Sequence, residues 1–301
     1  MKKIYIYIYI GHKLFRLYSK NKFRIKYKGL TFKFYLNESK IKVYKKVYKK
    51  EEIECRHGWS RIPSGMRVKC SKCGTTKNID YYVNITNGDY CCAYKDGIEQ
   101  FKADKECNIC EYNNTFNNTD INGIVYIEAK NLNEYNCLFN NCKNITEILF
   151  NENYEGTKIT QRMFCYCSGL ETITIPNSVT TIGKDAFSDC ISLKTITIGE
   201  SVTTIENYAF SGCFGLTSLT IPNSEEISIG NNAFYYCSNL TSITIPYSEE
   251  ISIGEDAFRN CPSLKTIIVK YVGFEPEDSK KKEYEQQYSN ADLNDNVEFE
   301  W

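Results

Sequence analysis

Cysteine is the residue type with the widest chemical potential in this sequence. The chain of 301 residues contains 15 cysteines but only two histidines, His12 and His57. Thiolate and imidazole side chains can ligate zinc, and a thiolate beside a histidine can act as a nucleophile. The spacing of the cysteines decides which chemistry is available. It divides them into seven between residues 51 and 115 and eight after residue 119.

The first group has spacings that predict a zinc site. Cys70 and Cys73 form a C-x-x-C pair followed by glycine, and 33 residues separate it from a second C-x-x-C pair, Cys107 and Cys110. Two such pairs can complete a tetrahedral site. A competing set joins the first pair to the Cys-x-His pair Cys55 and His57. The eight possible ligands could also fill two sites, the second formed by Cys91, Cys92, Cys107 and Cys110.

The competing set also resembles small zinc-ribbon segments, which have the order C…HGW…P…C-x-x-C. Here the first pair is one residue shorter than is usual in them, and the departure falls on His57. A zinc module in residues 51–115 would close the N-terminal end of the repeats that follow. Disulfides in an oxidising compartment, and free thiols, are the alternatives.

The second group of cysteines marks an internal repeat. The motif AFSDC, residues 186–190, returns as AFSGC, AFYYC and AFRNC, and one leucine per unit recurs every 23 or 24 residues. A unit of this length cannot bury its own apolar side, whereas stacked units share a continuous core. The repeat predicts a solenoid of about six units over residues 119–272. The leucines are Leu170, Leu193, Leu216, Leu240 and Leu264.

The sequence of each unit predicts three secondary-structure elements. The pattern L-x-x-I-x-I alternates as a strand does, and the proline that often follows cannot donate to a ladder. The pattern V-x-x-I-G predicts a second short extended piece. The spacing of A-F-x-x-C-x-x-L is helical, so we expect a helical turn or two there. Together these elements predict an α/β solenoid, preceded by a small, cysteine-rich and mostly β module in residues 51–115.

The cysteines of the repeat are predicted to be core residues. A zinc site needs a second ligand nearby, and a nucleophile needs a base within reach. The regular units offer neither, and disulfides between neighbours would break the equivalence of the units. A small apolar thiol suits a tight stack. The six equivalent positions are Cys142, Cys167, Cys190, Cys213, Cys237 and Cys261.

These units resemble the leucine-rich repeats of the BspA, or Treponema pallidum, type, whose units read AFxxCxxLxxIxIPxSVxxIGxx. The match runs from Ala186 to Tyr208, with glycine and glutamate in place of the proline and the second glycine. The resemblance implies a curved array with a parallel sheet on its concave side. It also implies binding of other macromolecules, often at cell surfaces, and no common enzymatic activity.

The first strand of each unit would direct hydroxyl side chains away from the core. Alternation places two such side chains per strand on one flat face. We expect this face to contact a partner, although threonine favours strands whatever it touches. The residues are Thr172, Thr174, Thr195, Thr197, Ser218, Thr220, Ser242 and Thr244.

The two ends of the chain are oppositely charged. Residues 1–50 carry 16 lysines and arginines against the single acid Glu38, interleaved with aromatic residues. Such a segment can bind phosphate backbones and stack on bases, so nucleic acid is a possible partner for residues 1–73. Residues 273–301 form an acidic tail with nine acids. A short helix is expected near Ser279, followed by fraying.

No apolar run is long enough to span a membrane as a helix. The apolar stretch Ile4 to Ile10 follows two lysines, but it is short and lacks a small-residue cleavage site, which argues against a secretory signal. The sequence slightly favours a cytoplasmic location, with the cell surface as the alternative.

The sequence therefore predicts a non-enzymatic scaffold that binds a protein or cell-surface macromolecule through its repeats. A cell-surface adhesin of the same fold is one alternative. An intracellular, nucleic-acid-associated zinc protein is the other.

Overall fold

The computed structural model describes two compact units, residues 1–56 and 57–301. In the first it describes the backbone of five strands. In the second it describes residues 59–301 except 63–65, 87–89, 96–97, 105–115, 117–120, 223–225, 249, 272–275 and 294–296. The side chains of residues 86, 90, 92, 94, 98, 99 and 101–104 also lie outside the description.

The five described strands of the first unit pair in antiparallel fashion. Strands β1 and β2 form one hairpin, and β3, β4 and β5 form a three-stranded sheet. Their bounds are β1 Tyr5–Ile10, β2 Lys13–Tyr18, β3 Lys22–Tyr27, β4 Leu30–Asn37 and β5 Lys40–Tyr44.

The cysteine-rich segment is also built from strands. Strands β6 to β8 form a small antiparallel sheet, and β9 to β11 form an antiparallel meander. Their bounds are β6 Trp59–Arg61, β7 Arg67–Cys70, β8 Thr76–Asn78, β9 Tyr81–Thr86, β10 Tyr90–Lys95 and β11 Ile98–Asp104.

The repeats form a parallel β-solenoid with little helix. The elements are β12 Asn122–Ile127, β13 Asn144–Phe150, β14 Lys158–Ile159, β15 Thr172–Thr174, β16 Thr181–Ile182, β17 Thr195–Thr197, β18 Thr204–Ile205, β19 Ser218–Thr220, β20 Glu226–Ile229, β21 Ser242–Pro246, β22 Glu250–Ile253, β23 Thr266–Lys270, α1 Asp278–Gln286 and β24 Glu298–Glu300. None of the helices in the described residues is long and apolar enough to cross a membrane.

Two parallel sheets run along the solenoid. The main sheet continues the N-terminal meander in the order β11-β10-β9-β12-β13-β15-β17, and a separate stretch follows as β19-β21-β23-β24. The second sheet has the order β14-β16-β18-β20-β22. Each regular unit thus supplies one strand to each sheet, as the two extended pieces of the repeat predict.

The third side of each unit is not helical, so the expected α/β solenoid is wrong at this point. Asp185 and Asp189 have φ of 54° and 57°, in the left-handed region, and they interrupt any helix. Along this stretch the backbone N–H groups donate alternately to the next unit and to a residue of the same unit. The N–H of Phe187 donates to Ala209 of the next unit at 2.8 Å, whereas the N–H of Cys190 donates back to Phe187 at 3.2 Å. Spacing of three residues fits such a chain of turns as well as it fits a helix.

The core consists of identical side chains stacked from unit to unit. Phenylalanine rings of successive units lie 5.3 or 5.4 Å apart, and the pairs from Phe187 to Phe258 are nearly parallel. The leucine and cysteine positions of the repeat are buried in the same way. The stack of phenylalanines comprises Phe116, Phe139, Phe164, Phe187, Phe210, Phe234 and Phe258.

Both ends of this core are covered. At the N-terminal end β9 pairs in parallel with β12, so the strands of the cysteine-rich segment extend the main sheet. At the C-terminal end the ring of Tyr288 lies 6.4 Å from that of Phe258, and β24 pairs with β23. The expected helix near Ser279 is present. The described residues after it do not fray, because Tyr288 and Ala291 are buried against the last repeat.

Candidate binding surface and cysteine chemistry

The main sheet displays the hydroxyl side chains that the sequence placed on its outer face. In β15 the central Ile173 is buried while threonines on either side face away from the core. Parallel pairing sets equivalent residues side by side, Thr172 next to Thr195 and Thr174 next to Thr197. The face is therefore a regular array of hydroxyl groups on a rigid support.

Seven of the eight predicted contact residues are accessible, and one is not. Thr244 is buried, with 7% of its surface exposed, and it lies beside Ile268 of β23. The break between β17 and β19 divides the other seven into two patches. Four are exposed, Thr174, Thr195, Ser218 and Thr220, and three are half-buried, Thr172, Thr197 and Ser242.

The repeat cysteines have a specific partner that the sequence did not reveal. The thiol of Cys190 donates to the carbonyl oxygen of Phe164 in the preceding unit, with a separation of 3.1 Å. The same carbonyl accepts the backbone N–H of Cys167 at 3.1 Å. Each such oxygen is buried and has two lone pairs, so the thiol satisfies the second one. The equivalent thiol donors are Cys142, Cys167, Cys213, Cys237 and Cys261, at 3.0 to 3.2 Å.

Burial also makes these thiols poor nucleophiles. It raises the pKa of the Cys167, Cys190 and Cys213 thiols because the thiolate would lose its solvation. The thiolate is the reactive form, so burial makes these three thiols poor nucleophiles. Cys261 differs, because its hydrogen bond with Cys237 lowers the pKa of its thiol. This agrees with the prediction that they are core residues.

The stacked units, their buried thiols and their paired strands point to one family. Residues 157–273 match the family described as the BspA type leucine rich repeat region, in six copies. Residues 157–273 are a BspA-type leucine-rich repeat region. The likeness inferred from the motifs is therefore confirmed, whereas the resemblance of residues 51–115 to zinc ribbons stays a prediction.

Solved structures similar to the chain include two that are named as leucine-rich repeat proteins. A leucine-rich repeat protein from Bacteroides ovatus shares 22% identity, with a TM-score of 0.41 over 60% of this chain and 45% of that chain. The T. pallidum leucine-rich repeat protein TpLRR shares 21%, with a TM-score of 0.36 over 55% and 82%. The pneumococcal vaccine antigen PcpA shares 22%, with a TM-score of 0.35 over 71% and 48%.

The chain spans less than half the length of the first of these structures. A comparison with curated proteins found no match.

The turn side of the BspA-type array carries exposed apolar residues that the sequence analysis missed. They lie in the stretch around the repeated Ala-Phe-x-x-Cys motif, outside both sheets. A comparison of equivalent positions could have found them, because other units have serine, aspartate, glycine or asparagine at several of the same places. The large exposed apolar residues among those described are Tyr166, Ile191, Tyr208, Phe214 and Tyr236.

A pocket of about 250 Å³ opens on the same side of the array. The Nε of Arg162 pairs with the carboxylate of Asp185 at 3.1 Å along its wall. The Oδ1 atom of Asn140, another lining residue, is buried and accepts no hydrogen bond from the described residues. Burial raises the pKa of the Cys165 thiol in this wall to about 12. The lining residues are Asn140, Arg162, Cys165, Tyr166, Asp185 and Ser188.

The predicted zinc ligands are only partly within the described residues. Cys70 ends β7 and is buried, whereas Cys73 is exposed in the following turn, and its thiol lies 3.1 Å from Oγ1 of Thr75. Cys91, a ligand in the two-site alternative, is buried in β10. No group of three or more potential ligands was found within the described part of the chain. Cys55, His57, Cys107 and Cys110, and the side chain of Cys92, lie outside it, so zinc stays a prediction.

Cys137 behaves differently from the repeat cysteines. It forms a disulfide bond, and its partner is not among the cysteines whose side chains are described. Sequence analysis assigned no role to Cys137, which lies five residues before Cys142 and outside the series of equivalent positions.

Proposed function

We propose that the chain is a non-enzymatic scaffold whose repeat surface binds a protein partner. The observation that supports this most is the hydroxyl face, whose two patches are each held in register by parallel pairing above a continuous core. Such a surface is rigid before binding, so little conformational entropy is lost when a partner docks.

The proposal places this scaffold in an oxidising environment, at the cell surface or outside the cell. The disulfide of Cys137 supports this location, because disulfides persist in oxidising compartments and are rare in the cytosol. The family resemblance points the same way. Nothing described supports the slight cytoplasmic preference drawn from the sequence.

Binding of nucleic acid is the alternative function that the sequence predicts. The basic side chains of residues 1–50 lie outside the described residues, so binding of nucleic acid stays a prediction. The exposed bases Arg67, Lys69 and Lys72 lie in or beside β7, close to the predicted metal ligands.

The proposed function can be tested with a displayed library of random linear peptides. The full chain is immobilised and panned, and bound clones are measured against Thr195→Lys. A lysine there adds a long charged side chain to the hydroxyl face without entering the core. Ser228→Lys, on an exposed position of β20 in the second sheet, is the matched control.

Clones that lose affinity for Thr195→Lys but keep it for Ser228→Lys would support the proposal. Failure to select any binder, or equal loss with both variants, would contradict it.

A further inference from the structure

The small sheet β6-β7-β8 covers part of the outer face of the main sheet. Tyr82, Tyr126 and Leu149 lie side by side on β9, β12 and β13, and they are buried without belonging to the core inside the solenoid. The carbonyl oxygen of Trp59 in β6 accepts a hydrogen bond from the Tyr126 hydroxyl at 3.3 Å. The guanidinium carbon of Arg61 lies 4.0 Å from the centre of the Tyr82 ring. The small sheet therefore lies over these three strands.

The small sheet also borders the hydroxyl face. The Nζ atom of Lys77 in β8 lies 2.7 Å from a carboxylate oxygen of Glu147 in β13. Parallel pairing sets Glu147 beside Thr172, and Thr172 beside Thr195. The hydroxyl face thus begins on the strand next to the one that anchors β8. A partner that binds the first hydroxyl patch meets the small sheet at its N-terminal border.

The outward side of the small sheet is basic. Val68 and Cys70 of β7 are buried, whereas Arg67 and Lys69 alternate with them and are exposed. Lys72, in the turn that follows, is exposed as well. Residues 59–79 contain no acid. We call the surface formed by Arg67, Lys69 and Lys72 the basic face.

The bases of the small sheet fall into a neutralised group and an uncompensated group. Arg61 and Lys77 contact the main sheet and pair with Glu128 and Glu147. No acid in the described part of the chain pairs with the three bases of the basic face. Uncompensated charges of one sign attract a partner of the opposite sign. The basic face therefore fits an anionic group of a partner.

The chemistry of the basic face favours an acidic polypeptide over a nucleic acid. Side chains on one face of an extended chain recur every ~7 Å, so alternate carboxylates of an extended peptide match the spacing of Arg67 and Lys69. Antiparallel pairing adds hydrogen-bonding groups between the charges, with Thr76 beside Lys69 and Asn78 beside Arg67. Single-stranded nucleic acids are bound largely by stacking on exposed aromatic rings. Trp59, the one aromatic residue of the described small sheet, is buried.

We propose that the basic face captures an acidic, extended segment of the protein that docks on the hydroxyl face. This inference rests on the proposed function and names the chemistry of the partner. Exposed ion pairs add little to affinity, because water and salt screen them. Charges at the rim of an interface act instead on the rate of association and on the choice of partner. The basic face selects acidic partners in this way.

The test starts from the linear peptides that lose affinity for Thr195→Lys. These peptides should be enriched in aspartate and glutamate relative to the unselected library. Surface plasmon resonance compares their association with the full wild-type chain and with the double variant Arg67→Gln/Lys69→Gln. The association rate should fall about threefold or more in the double variant at low salt, with the dissociation rate nearly unchanged. The difference should disappear near 0.5 M salt, where screening extends over only about 4 Å.

The matched control is the double variant Lys158→Gln/Lys184→Gln. Both lysines are exposed, and the substitutions remove the same charge away from the small sheet. This variant should associate as wild type does. The bases of residues 1–50 are present in every form compared. Both double variants should keep the wild-type melting temperature, because substitutions at exposed positions change stability little.

Three results would overturn the proposal. Peptides that depend on Thr195 but lack acidic residues, and associate equally with wild type and Arg67→Gln/Lys69→Gln, would leave the proposed function intact and remove the basic face from it. Equal slowing by both double variants would show an effect of net charge alone. A single-stranded thymidine oligonucleotide that binds more tightly than the peptides, and is lost only in Arg67→Gln/Lys69→Gln, would assign the basic face to nucleic acid.

Failure of the proposed function would look different. In that case no selected peptide would depend on Thr195, whatever its charge, and the partner assigned to the basic face would be withdrawn with it.

Discussion

The thiol of Cys190 donates a hydrogen bond to the carbonyl oxygen of Phe164, one unit earlier, at 3.1 Å. The repeated cysteine is thus both a small apolar side chain in the stack and a donor to a buried acceptor. Alanine would fit the first role only. This explains why the repeat uses a thiol at a position that has no metal, base or disulfide partner among the described residues.

We expect Cys190→Ala to destabilise the chain by about 1–3 kcal/mol, through the lost donor and the small cavity. The free energy of unfolding in denaturant is the measurement. Ser201→Ala, at an exposed position, should change it by less than about 0.5 kcal/mol. Equal effects of the two substitutions would show that the thiol hydrogen bond contributes nothing.

The repeat thiols should resist alkylation in the folded chain. Burial raises the pKa of Cys167 and Cys190, so both stay protonated as the pH rises through the value at which a free thiol, near 8.5, ionises. Iodoacetamide between about pH 7 and 9 should label them only after unfolding, as read by mass spectrometry. Rapid labelling in the native state would contradict the structural role.

The C-terminal segment should act as a cap that the array requires. Tyr288 is buried, with its ring 6.4 Å from Phe258 and its hydroxyl 3.3 Å from that of Tyr284. Tyr288→Ala should lower the free energy of unfolding by about 3 kcal/mol and promote self-association, because the last unit loses its cover. Size-exclusion chromatography and denaturation measure the two effects. Tyr208→Asn, at an exposed site, should produce neither.

A left-handed position should tolerate glycine better than alanine. Asn260 is exposed and has φ of 59°, and the equivalent residue in another unit is Gly212. Asn260→Ala should cost about 1 kcal/mol because a Cβ without a compensating polar group disfavours this region. Asn260→Gly should cost less. The reverse order in thermal denaturation would show that the turns do not control stability.

The zinc hypothesis predicts a measurable metal content. Purified full-length chain should contain about one zinc per molecule, and Cys73→Ser should lose it because a tetrahedral site needs all its ligands. Cys190→Ser is the control and should retain the metal. A chain without zinc whose free thiols disappear on oxidation would favour disulfides in residues 51–115.

Much of the fold can be predicted from the sequence because the spacing of equivalent residues gives the length of one unit. The repeated apolar positions, including those of leucine, phenylalanine and cysteine, had to be core residues, since a 23-residue unit can bury its apolar side only against its neighbours. The turn side was predicted incorrectly because a spacing of three residues suits turns and helices alike. Only the backbone shows that Asp185 and Asp189 are left-handed.

The candidate surface was predicted less completely. The hydroxyl face follows from alternation, but the burial of Thr244 depends on Ile268 in the next strand and on the capping segment. The exposed apolar residues on the turn side were missed because they vary from unit to unit. A periodic pattern identifies what the units share, whereas a binding surface depends on how they differ.

The affinity of one selected linear peptide for three forms of the full chain tests the central claim most directly. We predict, by calorimetry, about tenfold or greater loss for Thr195→Lys relative to wild type, and the wild-type affinity for Ser228→Lys. Equal affinity for all three forms would contradict recognition by the array through its hydroxyl face.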